Sequence, residues 1–335
     1  MTNPAPVLDL LDAFRRSKAM FTATSLGVFD FLSEAPADAA TLAAKVKADE
    51  GALTRLLDAC AGLGLLRRNG ETYENEPVAD VYIRRSSPLT MAGYILYSNE
   101  VLFRMWGNLD DAIREGTHRW PQTFNMDGQI FDHFFKTPDA LRTFIQGMHG
   151  FGMISSPRVV EAFDLSGFRM LADLGGATGH LAAAACRLHP HLRAAVFDLG
   201  PVVEIAREHI TAAGLVDRVD LVAGDFFTDD LPKADLYAVG RILHDWSEPK
   251  IRRLLKRIYE ALPAGGGLLI AEKLLEEDKS GPVTAHMQSL NMLICTEGRE
   301  RTLGEYRTLL EEAGFVEVQG RRTGAPVDAV LARKS

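Results

Sequence analysis

Cysteine is scarce in this sequence. Cys60, Cys186 and Cys295 are the only three among 335 residues, far apart and odd in number. They make no CxxC pair and no disulfide framework, which suits a reducing compartment and leads us to expect a cytoplasmic protein. An excess of positive charge is also missing: the formal net charge is −8, so neither a broad nucleic-acid surface nor an anionic-membrane surface is expected as the chain's main role. There is no run of about 18 apolar residues, and the first twenty residues lack a basic stretch leading into an apolar core. No membrane span and no secretion signal are therefore expected. Repeats and low-complexity segments are absent too. What remains is globular in character, 47% apolar and 24% charged, and long enough for about two domains of roughly 100–200 residues.

Residues 7–32 have helical periodicity, with Val7, Leu10, Leu11 and Phe14 on one face. Thr41 is a suitable N-cap for a short helix, and a second helix follows at about 50–62. "GLGLLRRNGETYENE" then predicts two strands joined at Asn69-Gly70. Helix, turn, helix and hairpin make a winged helix over about residues 33–86. A DNA reader would carry cations on its second helix. Here "DEGALTRLLDACAG" has one arginine against three acids, and residues 33–86 hold seven Lys/Arg and nine Asp/Glu. An interaction or dimerisation module is the better reading. Residues 88–165 read as mainly helical and rich in Trp106, Trp120, Phe131, Phe134, Phe135, Phe144, Met148, Phe151 and Met153, most of them core, with some left to line a pocket.

From residue 169 the pattern changes. "RMLADL", "RAAVFDL", "RVDLVAG", "ADLYAVG" and "GGLLIAE" are short apolar runs separated by helical segments. That alternation predicts an α/β domain with a parallel sheet buried on both faces. "GFVEVQGRRTGAPVDAVLARK" predicts an antiparallel strand pair at one edge. The helix before it has a capping box at Thr302 and Glu305 and a terminating glycine at Gly314.

"DLGGATG", residues 173–179, ends the first of these strands and opens a helix. Glycines let backbone approach a ligand, and ligands of doubly wound sheets sit at the carboxyl ends of the strands. The dinucleotide spacing G-x-G-x-x-G is not met, because Ala177 takes the place of its second glycine. This counts against an NAD-dependent oxidoreductase. Two further acids, Asp198 and Asp225, close the next two strands. The two oxygens of Asp198 suit a pair of ribose hydroxyls, and Asp225 with Phe226 suits an adenine amino group and ring face. Single acids at strand ends usually just solvate loops. Three in succession beside a glycine turn point to a nucleoside.

"DLGGATG", "VFDL", "GDFF", "LHDW", "GGGLLIAEKLL" and "TEGRERT" occur in the order seen in S-adenosylmethionine-dependent O-methyltransferases of the class I fold. Over nearly its whole length the chain resembles that family, most of all the acetylserotonin O-methyltransferase-like enzymes and more distantly the plant caffeic-acid type. The resemblance implies a Rossmann-like methyltransferase domain and an N-terminal winged-helix dimerisation domain. It implies S-adenosylmethionine as cofactor, with Asp173, Gly175, Gly176 and Gly179 facing it. By the same resemblance Asp198 with Leu199 holds the ribose, Asp225 and Phe226 the adenine, and Arg241 the family's usual cationic position. The implied division is 1–105 for dimerisation, 106–160 as a helical connector lining the acceptor pocket, and 161–335 for cofactor binding. It also implies a homodimer whose N-terminal helices interlock and bring residues such as Met20 to the partner's active site.

"RILHDWSEP" follows the fourth sheet strand, which sets His244 at the catalytic rim. A phenol with pKa about 10 is a poor nucleophile at neutral pH, and a histidine near 6.5 can take its proton as methyl transfers. The resemblance assigns Glu272 and Glu300 to orient that histidine, with Asp245 beside it. His118, His133, His149, His189, His191 and His209 sit in no such motif and are expected to be structural. Phe144 and Met148, four apart, share a helix face. The family uses a matching pair to sandwich an aromatic acceptor, and Asn291 and Met292 match an acceptor-lining segment of the animal enzymes. Cys295 stands where plant relatives have an asparagine, and Ile242 replaces a family tryptophan. No His/Cys/carboxylate group has metal-ligand spacing, so no metal is expected. The reading is an O-methyltransferase acting on a small hydroxylated aromatic compound. Its alternatives are a family member with other chemistry on the same cofactor, and a ligand-sensing winged-helix regulator.

Overall fold

Helix-breaking residues and strand-ending acids divide the chain into elements. The structure, a computed structural model, describes residues 2–126 and 137–335. Phe131, Phe134, Phe135 and His133 lie outside the described residues. The chain forms two compact units, Met1–Arg104 and Met105–Ser335.

In the first unit, the helix expected over 7–32 is two helices, Ala5–Ser25 and Val28–Leu32. Gly27 between them takes φ +76°, a left-handed conformation that favours glycine and ends the first helix. Val7, Leu8, Leu10, Leu11 and Phe14 are all more than half exposed. Met20, further along, packs partly against its own unit's core. The helix Ala39–Val46 is capped by Asp38, whose carboxylate accepts the Thr41 amide at 2.7 Å. Thr41 is therefore the third helical residue, not the cap; the acid immediately before the helical run competes better for its free amides. The helix Glu50–Gly62 is capped in the same way by Asp49. Strands β1 (Ala37–Asp38), β2 (Leu66–Asn69) and β3 (Thr72–Asn75) pair antiparallel in the order β1-β3-β2. Asn69 pairs with Thr72, so the hairpin loop is Gly70-Glu71, one residue later than expected, with Gly70 at φ +60°. Phe29, Leu42, Leu53, Leu57, Cys60 and Tyr73 form the core. This is a winged helix. Its second helix spends Asp58 on Tyr73 and Arg68.

The second unit is built on seven strands: β4 (Met170–Leu174), β5 (Arg193–Asp198), β6 (Val219–Ala223), β7 (Leu236–Gly240), β8 (Gly267–Glu272), β11 (Phe315–Arg321) and β12 (Asp328–Lys334). They lie in the order β11-β12-β8-β7-β4-β5-β6. The five from β8 to β6 are parallel, and β12 runs antiparallel to both of its neighbours, β8 and the edge strand β11. Both sheet faces are covered: Leu171, Val196 and Leu269 pack in one cluster and Leu174, Val239 and Ile270 in another. Two further two-residue strands, β9 (Leu274–Leu275) and β10 (Arg301–Thr302), pair parallel beside the sheet. The capping box of the helix Leu303–Glu312 is formed as expected, with Gly314 at φ +102° just beyond its end. The chain runs outward from β4 to β6, then returns to β7 on the other side of β4. That reversal opens a crevice at the carboxyl ends of β4 and β7. No helix among the described residues is long and apolar enough to cross a membrane, and the three cysteines are buried and free.

Candidate active site

The glycine turn leaves β4 at Asp173 and enters the helix His180–Leu188. Gly175, Ala177 and Gly179 take φ of +67°, +50° and +75°. A Cβ on Gly175 would stand 2.5 Å from Ile242 Cδ1, and one on Gly176 would stand 2.8 Å from Asp173 Cγ. Only bare backbone fits there, and side chains would fill the cradle. The amides of Gly175, Ala177 and Gly179 are donated to the Phe197 carbonyl, the Asp198 carboxylate and the Gly176 carbonyl. Asp173 and Asp198 flank the turn. Burial pushes Asp173 up to about 7, helped by the charge of Asp198 and opposed by the Ala182 amide. Burial pushes Asp198 up to about 6 against the amides of Ala177 and Leu199. A pyrophosphate wants free amides and no acids. Amides already spent beside two buried acids suit a nucleoside that carries positive charge. Each Asp198 oxygen accepts one amide, at 2.9 and 2.8 Å, and keeps further acceptor capacity.

The other cofactor residues expected from sequence are less uniform. Phe226 is half-buried and reaches the turn, its ring 3.5 Å from the Gly175 Cβ position. Asp225 accepts the Phe227 amide at 2.7 Å, and its own amide donates to Asp229, so it organises its own loop. Leu199, beside Asp198, is exposed. Arg241 follows β7 with φ +58°, its amide bonded to the Ala271 carbonyl. Its guanidinium carbon lies 5.1 Å over the Phe151 ring, and its buried Nε has no hydrogen-bond partner. Together, the bare-backbone cradle, the two acids and that unpaired donor fit a sulfonium nucleoside.

The short 3-10 turn Leu243–Asp245 carries His244, which is 3% exposed. Glu272, at the end of β8, accepts the amides of Ile242 and Leu243 at 2.9 Å each with Oε1 and so holds the turn. The β9–β10 pairing sets Glu300 alongside. His244 Nδ1 lies 2.7 Å from Glu300 Oε1 and 3.3 Å from Glu272 Oε2. Asp245 Oδ1 is 3.8 Å from Nε2, too far for a hydrogen bond. Once Glu300 is ionised it can only accept, and in that state Nδ1 carries the proton and Nε2 is the accepting nitrogen. Burial raises all three acids: Glu300 to about 8, with Arg241, Arg301 and Lys273 opposing; Asp245 to about 6; and Glu272 upward, with His244 opposing. The donor atoms of His244, Glu272 and Glu300 lie within 4.8 Å of one another, close enough to hold a metal ion. The expectation of no metal rested on spacing along the chain, and spacing cannot reveal a trio drawn from three distant segments.

Phe144, in the helix Pro138–Glu161, packs partly with Leu141, Ile145, Val202 and Ile205, next to Ala177. Met148 is half-buried one turn on. In the helix Val283–Cys295, Asn291 accepts the Trp106 indole N–H at 3.0 Å, and Met292 is buried. Sequence reasoning missed that Trp106 bond. It also assigned His149 and His209 no neighbours of interest. His149 Nδ1 is 2.7 Å from the hydroxyl of Thr178, inside the glycine turn, and the His209 ring lies 4.2 Å from it. His180 bonds Ser156 at 2.8 Å, and Gly152 leaves the space its ring occupies. No local motif marks these pairs. Glycines at 147, 150 and 152 on one helix were the only hint.

Comparison with known proteins shows the family. An O-methyltransferase domain family matches residues 106–316, and an O-methyltransferase dimerisation domain matches residues 8–85. The acetylserotonin O-methyltransferase of Bos taurus is 42% identical over 330 residues, covering 96% of this chain and 95% of that protein. A probable bifunctional dTTP/UTP pyrophosphatase/methyltransferase protein of Homo sapiens is 40% identical over 334 residues. The match takes in 99% of this chain but 54% of that relative, so the chain spans about half its length. The crystal structure of human N-acetylserotonin methyltransferase in complex with S-adenosylmethionine matches with a TM-score of 0.95 at 39% identity, covering 100% of this chain and 99% of that one.

Proposed function

The chain belongs to the S-adenosylmethionine-dependent O-methyltransferase family, and from that membership we propose that it methylates a hydroxyl of a small aromatic acceptor with His244 as general base. The observation that carries this reading is the 2.7 Å contact of His244 Nδ1 with Glu300, which leaves Nε2 to accept a proton in the state where Glu300 is ionised. S-adenosylmethionine, when bound, supplies the methyl group. Asp198 would hold its ribose, and the turn from Asp173 to Gly179 would lie along it. Phe226 would face its adenine, and Arg241 would stand near its other end. His244 would take the acceptor's proton at Nε2 while Glu300 and Glu272 stabilise the imidazolium, with Asp245 beside it. Phe144 and Met148, in a connector of about residues 106–160, and Asn291 and Met292, in the cofactor-binding domain, are our candidates for the acceptor wall. The donor set of His244, Glu272 and Glu300 acts as a proton site without metal.

We further propose a homodimer. The apolar first turns of the helix Ala5–Ser25 belong to a recognised dimerisation domain, and a second copy would cover them. The acidic winged helix argues against nucleic acid as a partner, and the unpaired cysteines favour the cytoplasm.

The test has two stages. Calorimetry with S-adenosylmethionine should give micromolar binding, and NADH should give none. The enzyme is then offered acetylserotonin and a panel of simple phenols, with S-adenosylhomocysteine release as readout. On the best acceptor, His244→Ala should keep cofactor affinity and lose about 10²- to 10⁴-fold in turnover. Wild-type turnover by that variant would end the base assignment.

A further inference from the structure

Arg301 is 1% exposed and makes no ion pair within 4 Å among the described residues. A buried guanidinium without a carboxylate partner is costly, so something must offset it. Its contacts are specific. One terminal nitrogen donates to the carbonyl of Leu243 at 3.4 Å and to the carbonyl of Arg299 at 3.0 Å. Leu243 immediately precedes His244, and Arg299 immediately precedes Glu300. One side chain therefore ties the two backbone segments whose side chains meet at 2.7 Å. The same guanidinium bears on Glu300, and it opposes the rise of the buried Tyr306 hydroxyl, which burial, Glu272 and Glu300 push far up.

We propose that Arg301 is a positioning residue for methyl transfer, fixing the spacing of His244 and Glu300 through the two carbonyls it bridges and balancing the carboxylate of Glu300. This rests on the reading of His244 as the base. Other charges face the trio from every side. Arg241 follows β7 and Asp245 follows His244, while Glu248 bears on Arg301 itself. Lys273 follows β8, Asp328 opens β12, and Tyr306 lies in the helix Leu303–Glu312. Lys273 is already engaged by Asp328 at 3.3 Å, as is Arg322 at 2.8 Å. Arg241 is stacked on Phe151. Arg301 alone among these cations both bears on Glu300 and holds the backbone beneath it.

The experiment compares wild type, Arg301→Gln and Arg301→Lys, each with and without His244→Ala, on the best acceptor of the phenol panel. Removing the cation disfavours ionised carboxylates and a neutral histidine alike. Both effects push the rising limb of the kcat–pH profile to higher pH. Arg301→Gln should lower kcat about 10- to 100-fold, move that limb up by half a pH unit or more, and change the S-adenosylmethionine Kd by less than threefold. Arg301→Lys should return the limb toward wild type while kcat stays low, because an ammonium restores charge but not the planar group between two carbonyls. In the His244→Ala background the Gln substitution should cost almost nothing further. An unmoved limb, or an equal loss of turnover in both backgrounds, overturns the proposal and leaves Arg301 a packing residue. His244→Ala turning over at the wild-type rate overturns the base reading instead, so the two failures are told apart. If the Gln variant does not fold, Arg301→Lys carries the test: wild-type kcat with a wild-type limb overturns the proposal.

Discussion

Gly298 has no unusual backbone conformation, and its importance comes from what it lies against. A Cβ built there would stand 2.0 Å from the carbonyl oxygen of His244 and 2.7 Å from two backbone carbons of His244 and Asp245. Ordinary contact begins at 3.4 Å, so Gly298→Ala must drive the loop and the histidine turn apart by about 1.4 Å. Backbone cannot swing aside as a side-chain tip can. The His244–Glu300 hydrogen bond, 2.7 Å long, would then stretch beyond hydrogen-bond range. The overpacking should cost about 1–3 kcal/mol, which a domain of ordinary stability survives. The functional cost should be larger, since a misplacement of about 1 Å in a catalytic array can lower turnover by roughly 10²-fold. The assay is steady-state S-adenosylhomocysteine release, with calorimetric cofactor affinity and a melting curve as controls. The expected outcome is a fall in kcat of about 10²-fold, a cofactor Kd within threefold, and a melting point lowered by a few degrees. Wild-type kcat in a folded Gly298→Ala protein would refute the claim that seating this loop sets the histidine's geometry.

Three other perturbations have defined outcomes. Glu300 keeps a proton up to about pH 8 in the fold but loses it near 4.5 when unfolded. Its contribution to stability is therefore complete below about pH 4.5 and is lost as pH rises toward 8, at up to about 1.4 kcal/mol per pH unit. Glu300→Gln removes this dependence, so its melting point relative to wild type should climb between pH 5 and pH 8 while turnover collapses; a constant difference would contradict the raised pKa. Leu10→Glu with Leu11→Glu, on the exposed face of the first helix, should convert a dimer to a monomer in sedimentation, and a persisting dimer would place the interface elsewhere. Dialysis against a chelator should leave turnover within twofold. A loss restored by Zn²⁺ would put a metal on His244, Glu272 and Glu300.

The legibility of the site varied by element. Asp198 and Glu272 close apolar runs, and a run that must be buried on both faces has an identifiable end, so their strand-end positions were readable. Asp225 was readable in the same way, but its carboxylate turned out to serve its own loop. Thr302 and Glu305 capped their helix as the spacing implied, because a capping box is closed within four residues. Thr41 failed for the same kind of reason: Asp38, equally local, makes the cap.

What the sequence determined by itself is therefore whatever is decided within a few residues: the glycine turn between strand and helix, the acids at strand ends, the winged-helix pattern and its unfavourable charge for DNA. Pairs distant in the chain were not decided locally. His244 and Glu300, 56 residues apart, were paired beforehand only by the family resemblance, and tertiary structure alone brought Arg301 to the carbonyl of Leu243 across 58 residues. Thr178 finds His149 on a helix that no motif connects to the glycine turn. Hydrophobic period and residue propensity carry no information about such pairs. They arise because close packing leaves each buried donor or acceptor only the partners that the strand order brings within about 3 Å of it.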